Sequence, residues 1–315
     1  MPSGRFAPSP TGRLHLGNLR TALVAWLFAR SDGAHLHLRF DDLDSAAVRA
    51  EHYLTQADDL QALGLDWDGE PIRQSDRTDR YADALAALSA AGLLYSCYCS
   101  RREIREAAQA PNRPFAGRSY PGTCRELTAD QRAEREASGR PPALRVRADG
   151  LTVAFVDLVM GAASFELDDF VVRRNDGTPA YHLVTTVDDV DLGIEVVVRA
   201  DDLLDSTSRQ LHLASLLAGT TDADRAGETN EATPIGHAHV PLVLGSDGQR
   251  LAKRHGAVTL ADRVAMGESP EQVLSFLAVS LGLCEPGEPA TPGALLNRFD
   301  PALLPTEPLT LDESF

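Results

Sequence analysis

The chain opens with a strand, a stiff turn and a helix, and that order restricts the fold more than anything after it. Residues 4–7 read as a short strand. Pro8 and Pro10 stiffen the next stretch, and Thr11-Gly12 permits a tight turn. Residues 16–30 read as a helix with Leu19, Leu23, Trp26 and Leu27 on one face. Residues 35–40 alternate as a second strand, and helices follow over 46–63 and 80–91. This alternation predicts an α/β fold with a Rossmann-type parallel sheet covered by helices. His15 stands just before the first helix, where free backbone N–H groups and the helix dipole favour anions. The turn therefore reads as a phosphate site. A capped helix with a surface histidine fits the same short pattern, and these residues alone leave both readings open.

The middle of the chain changes character. Residues 109–124 are rich in Pro, Gly and Arg and read as an irregular loop. Short strands are expected over 144–147, 152–158, 170–174, 181–185 and 195–199. Helix returns over 206–217, and 241–244 reads as strand. Residues 219–231 are polar and aperiodic and are expected to form a mobile loop. We divide the chain into a first half of the sheet domain (1–94), an insertion (95–175), the second half of the sheet domain (176–240) and a basic loop with a helical C-terminal region (241–315).

That basic loop runs Gly245-Ser-Asp-Gly-Gln-Arg-Leu-Ala-Lys253-Arg254-His255-Gly256. A lysine on a glycine-flanked loop can close over a triphosphate and meet charge as it develops. An ordinary solvated basic loop is the alternative. The chain carries a formal charge of −16, which excludes a protein that coats nucleic acid through phosphate neutralisation alone but leaves room for a local basic groove. No apolar run approaches the roughly 20 residues of a membrane span, and the N-terminus lacks the pattern of a signal peptide. A cytoplasmic monomer with no membrane partner is the expectation.

Three of four cysteines fall close together as Cys97-Tyr-Cys99 and Cys124, a C-x-C-x24-C pattern. Three thiolates suit Zn2+, which needs a fourth ligand in a structural site. Three reduced thiols in a core are the alternative. Cys284 lies far away and reads as a lone core thiol.

Two stretches carry a family resemblance. Arg5-Phe-Ala-Pro-Ser-Pro-Thr-Gly-Arg-Leu-His-Leu-Gly-Asn18 resembles the HIGH motif of glutamyl-tRNA synthetases, which are class I enzymes. Arg250-Leu-Ala-Lys-Arg-His-Gly-Ala257 resembles their KMSKS motif, commonly Lys-Leu-Ser-Lys-Arg-His-Gly-Ala. Asn18, Arg250 and Ala252 depart from the usual motifs, and Asp41 stands where the family commonly has Glu. The resemblance implies His15 and Lys253 as catalytic residues. It implies ATP, bound with Mg2+, at Pro8, His15, Gly17, Asn18, Arg250 and Lys253. It implies L-glutamate at Arg5, Phe6, Ala7, Pro8, Ser9, Asp41, Tyr181 and Arg199, with Asp41 facing the ammonium and the arginines holding carboxylate. It also implies one structural zinc on Cys97, Cys99, Tyr120 and Cys124, since the family uses a Tyr-x3-Cys pair. The chain stops soon after the second motif, in the manner of the shorter glutamyl-Q tRNA(Asp) synthetase family. That likeness implies a short helical C-terminal region without an anticodon-binding domain, and transfer of glutamate to queuosine in the anticodon loop of tRNA(Asp). A shortened synthetase charging a tRNA 3′ end, and a non-catalytic binder of tRNA or glutamate, remain as rivals.

Overall fold

In the computed structural model, residues 2–108, 120–148, 150–221, 235–251, 256 and 258–311 are described. Strand β1 (Ser3–Phe6) leads through the turn into α1 (Leu16–Ser31), then β2 (His35–Phe40), α2 (Ala50–Ala62), β3 (Ile72–Arg73) and α3 (Thr78–Ala90). An inserted run holds β4 (Leu94–Cys97), α4 (Arg101–Ala108), α5 (Ala129–Ala137), β5 (Ala143–Val146), β6 (Thr152–Asp157), β7 (Gly161–Glu166) and β8 (Val171–Arg173). The chain rejoins the main layer through α6 (Tyr181–Asp191), β9 (Ile194–Ala200), α7 (Leu204–Thr221) and β10 (Gly236–Val240). It continues through β11 (Val243–Leu244), α8 (Leu260–Ala265), α9 (Pro270–Ser280), α10 (Pro292–Leu296) and β12 (Leu309–Thr310).

Five strands pair in parallel in the order β10-β9-β1-β2-β3. Ser3 pairs with His35 on one side and with Ile194 on the other. The strand order therefore reverses at β1, and in open α/β sheets the crevice beyond such a reversal is where ligands bind. The inserted run forms separate antiparallel sheets, β4-β5-β8 and the β6–β7 hairpin. Tyr81, Leu88, Val146, Phe170, Val172, Leu183, Val187 and Leu213 form a second apolar core, which joins this run to α3, α6 and α7.

The structure corrects three expectations. Helix α1 buries far more than one face: every residue from Leu19 to Ala29 is buried. It lies between the sheet and the layer of α9 and α10, so it has no solvent side over most of its length. The expected strand at 181–185 is the first turn and a half of α6. Its β-branched run has strand propensity, but Leu183 and Val187, one helical turn apart, both enter the second core, and packing overrides propensity. The expected strand at 241–244 shrinks to β11, and the fifth sheet strand is β10 just upstream. Its Gly-His-Ala-His-Val sequence looks half polar, yet His237 and His239 are buried. Near the C-terminus, β12 pairs in parallel with β11, Val243 with Leu309 and Leu244 with Thr310. Residues 109–119 and 222–234, which hold most of the two expected loops, lie outside the described residues.

Arg20 ties these layers together from inside α1. Its guanidinium donates to the Pro241 carbonyl at 2.7 Å, to the Ser280 hydroxyl at 3.1 Å and to the Ser280 carbonyl at 3.0 Å. Burial pushes it down to about 10, still charged at neutral pH. Replacing it by an apolar chain of similar length strands those buried acceptors. Arg20→Met should cost about 2–4 kcal/mol. The urea midpoint reads this, and an unshifted midpoint would discard the staple.

Candidate active site

The turn after β1 is held on three sides. Gln56 of α2 donates from Nε2 to the Ser9 carbonyl at 3.0 Å and to the Gly12 carbonyl at 2.6 Å. The Asp41 N–H donates to the Pro8 carbonyl, and the Arg49 N–H to the Pro10 carbonyl, both at 3.0 Å. The Leu16 N–H donates to the Val258 carbonyl at 2.8 Å, which brings the segment after the basic loop against the start of α1.

His15 caps that helix. Its Nδ1 accepts from the Asn18 N–H at 3.2 Å, while the Asn18 side-chain oxygen accepts from the His15 N–H at 3.2 Å. A ring nitrogen that accepts leaves the proton on the other one, so Nε2 is the donor. Burial, with Arg250 nearby, pushes His15 down to about 4, so the ring is neutral at pH 7. Gly17 makes room for the ring: a Cβ there would lie 3.0 Å from His15 Cε1 and 3.1 Å from Nδ1. Arg250 forms an ion pair with Asp202 across the same opening.

Beneath the turn lies a buried charge cluster. Arg39 is 0% exposed and grips Asp41 with Nε at 2.8 Å and Nη2 at 3.4 Å. It also donates from Nη1 to Asp189 of α6 at 2.6 Å. Arg5 donates from Nε to the same Asp189 oxygen at 3.3 Å and from Nη1 to the Val198 carbonyl at 2.7 Å. Burial acts to raise the Asp189 carboxyl, but Arg5 and Arg39 outweigh it and hold it below the usual carboxylate range. Burial raises Asp41 in spite of Arg39. Arg5 has five N–H donors, of which acceptors among the described residues take two.

Arg199 of β9 differs. Its five donors meet His239 Nε2 at 3.0 Å, Tyr181 Oη at 3.3 Å, Gln210 Oε1 at 2.6 Å, the Leu203 carbonyl at 3.2 Å and Thr207 Oγ1 at 2.8 Å. The longest of these is to Tyr181, which opens α6 and is 40% exposed.

These groups surround one cleft of about 430 Å3. Of the residues expected from the sequence, Arg5, Phe6, Ala7, Pro8, Ser9, His15, Asn18, Asp41, Tyr181, Arg199 and Arg250 line it. Gly17 sits behind His15. Lys253 lies outside the described residues. Arg39, Gln56, Thr185 and Asp202 also line the cleft and were not singled out from the sequence. Arg39 stood two residues before Asp41, and a buried strand arginine between carboxylates was the available signal. Gln56 gave none, being one polar residue on a polar helix.

The cysteines form a separate cluster in the insertion. The Sγ atoms of Cys97, Cys99 and Cys124 all lie within 4.8 Å of one another. Cys99 and Cys124 are 3.5 Å apart, and Tyr120 Oη is 3.4 Å from Cys97 Sγ. Ligands 2.3 Å from a tetrahedral zinc stand about 3.8 Å apart, so the donor set and its spacing fit that ion. Tyr120 Oη also accepts from the Cys124 N–H at 2.8 Å, and the Arg145 guanidinium covers the ring at 3.7 Å.

Comparison with known proteins follows the same lines. The family model for the catalytic domain of class I tRNA synthetases (E and Q) matches residues 3–286. The protein named glutamyl-Q tRNA(Asp) synthetase of Nocardia farcinica is 53% identical over 312 residues, covering 99% of this chain and 94% of its own length. That of Symbiobacterium thermophilum is 46% identical over 321 residues, covering 98% and 95%. A crystal structure of a glutamate tRNA ligase from Elizabethkingia meningosepticum, in complex with its amino acid, shares the fold. Its TM-score is 0.81 at 24% identity, covering 99% of this chain and 67% of that one. Among the described residues no helix is long and apolar enough to cross a membrane.

The buried histidines predict the response to acid. Burial lowers His15 and His182 to about 4 and His237 to about 3, from an ordinary 6.5. Between pH 6.5 and 4 the unfolded chain binds protons that the folded chain refuses, so stability falls as pH falls. Asp59, raised by burial to about 6, works the other way and returns part of the loss. The urea midpoint should be lower at pH 5 than at pH 7; a higher midpoint at pH 5 would contradict the neutral, buried histidines.

Proposed function

The chain belongs to the glutamyl-Q tRNA(Asp) synthetase family of class I tRNA synthetases, enzymes of the ligase type, and from that premise we propose that it activates L-glutamate with ATP and transfers it to queuosine in the anticodon loop of tRNA(Asp). One observation supports the chemistry: His15 at the start of α1 and the arginines Arg5 and Arg199 line the same cleft. The α-carboxylate of glutamate attacks the α-phosphate of ATP, pyrophosphate leaves, and glutamyl-adenylate forms. A hydroxyl of the RNA then attacks the activated carbonyl and AMP leaves. No side-chain nucleophile is required, so catalysis is positioning and charge stabilisation.

His15 donates from Nε2 to a phosphate oxygen, and the N–H groups at the start of α1 add to it. Pro8, Gly17 and Asn18 shape this end of the cleft. Arg250, released from Asp202, and Lys253 meet the triphosphate from the basic loop. Mg2+ enters with ATP as part of the substrate and spreads the phosphate charge. At the other end, the unspent donors of Arg5 and the Arg199–Tyr181 pair hold glutamate, with Phe6, Ala7 and Ser9 as the wall. The ammonium faces Asp41, whose carboxyl burial has raised. A cation beside it relieves that cost.

Cys97, Cys99, Cys124 and Tyr120 would hold a structural zinc, which would pin the insertion and take no part in the chemistry. Cys99→Ser should release the metal and weaken transfer while exchange persists. A zinc assay on the purified variant checks this, and full metal content would overturn the ligand set.

Two assays test the function. The purified protein should catalyse glutamate-dependent ATP–pyrophosphate exchange with no RNA added. It should then pass labelled glutamate to tRNA(Asp) that carries queuosine and not to tRNA(Asp) that lacks it. Label on the 3′ end of another tRNA would replace the queuosine reading with an ordinary charging enzyme. Absence of exchange under both conditions would leave a binder.

A further inference from the structure

A buried acid–imidazole pair lies behind the cleft, and the chemistry above makes no use of it. His239 of β10 is 0% exposed, and Asp157, the last residue of β6, is 2% exposed. His239 Nδ1 stands 2.6 Å from Asp157 Oδ2. The other ring nitrogen, Nε2, accepts from Arg199 Nε–H at 3.0 Å. The Thr207 hydroxyl, which accepts from Arg199 Nη2 at 2.8 Å, lies 3.4 Å from Nε2. Arg199 can only donate, so Nε2 must be bare and the single ring proton must sit on Nδ1.

Asp157 enforces that choice. Its Oδ1 accepts from the N–H groups of Val159 at 3.0 Å, Met160 at 2.9 Å and His239 at 3.1 Å. Only Oδ2 is left for the ring, and a carboxylate oxygen there demands a donor. We infer that Asp157 and His239 are positioning residues for the glutamate pocket: Asp157 fixes the His239 proton on Nδ1, and the bare Nε2 then holds the Arg199 guanidinium where it meets Tyr181 and the substrate. The inference rests on the glutamate reading of that pocket.

Asp157→Asn tests it with little change of shape. Three backbone N–H groups keep the amide oxygen at the Oδ1 position, so the NH2 group faces Nδ1. The ring must then carry its proton on Nε2, against Arg199 Nε–H, and two donors repel. The KM for glutamate in ATP–pyrophosphate exchange should rise about tenfold or more, the loss of one hydrogen bond to a charged group. The KM for ATP should stay within about twofold. Two further variants separate positioning from mere packing. The Gln amide imitates Nε2 and returns an acceptor to Arg199, whereas the Asn amide imitates Nδ1 and does not. His239→Gln should therefore keep a glutamate KM well below that of His239→Asn. Nitrogen NMR of histidine-labelled wild-type protein, with the His239 signal assigned by its loss in His239→Gln, should show the proton on Nδ1. That reading is made on the wild-type protein and needs only His239→Gln to fold, so it stands even if Asp157→Asn does not.

A wild-type proton on Nε2 overturns the inference. So does an unmoved glutamate KM in folded Asp157→Asn, or equal effects of Gln and Asn at 239. Wild-type protein that neither exchanges nor binds glutamate would instead remove the pocket reading itself.

Discussion

Two arginines on neighbouring parallel strands, Arg5 on β1 and Arg39 on β2, are buried side by side and share one oxygen of Asp189. A buried cation without a partner costs several kcal/mol, and two of them together cost more. The carboxylate that meets both comes from α6, after the whole insertion. This demand sets where α6 must lie. With α6 come Tyr181 at its start, Thr185 one turn on, and Asp188, which binds Gln74, Arg77 and Tyr81 from the far side. The cleft is thus built around a charge pairing, and the apolar cores on either side accommodate it.

That pairing also divides the labour between the arginines. Arg5 spends two donors on the protein and keeps the rest, whereas Arg199 spends all five. Sequence alone assigns both the same role, because residue type carries no record of which N–H groups are already taken. In the folded chain, of the two, only Arg5 has donors that no described residue engages. Arg199 is a strut tied to β10, α6 and α7.

Local signals were legible in the sequence. The strand–turn–helix opening, the second strand and the helices after it fall within a few residues of β1 to α3, because hydrophobic period and turn chemistry act over short spans. About half of the cleft lining was legible too, since the first motif stretch and Arg250 of the second border it. What depends on distant partners was hidden. Tyr181 to Thr185 reads as strand until α3 and β8 are there to receive its helical face. β10 reads as polar until Asp157 is there to hold His239. Gln56 matters through two backbone carbonyls that no residue pattern announces.

The pairing of β1 with β9 joins residues roughly 190 positions apart, and closing such a loop costs about 4–5 kcal/mol of chain entropy. During synthesis β1 leaves the ribosome long before β9 exists. At ordinary elongation rates the interval is roughly 10 to 40 s. Through that time β1 and β2 present an unpaired parallel edge, and Arg5 and Arg39 have no Asp189, so they must stay hydrated and the edge cannot dry. A nascent chain of this design remains open, with an exposed strand, until its second half arrives. The strand order thus sets how long that edge stays open to pairing with other chains.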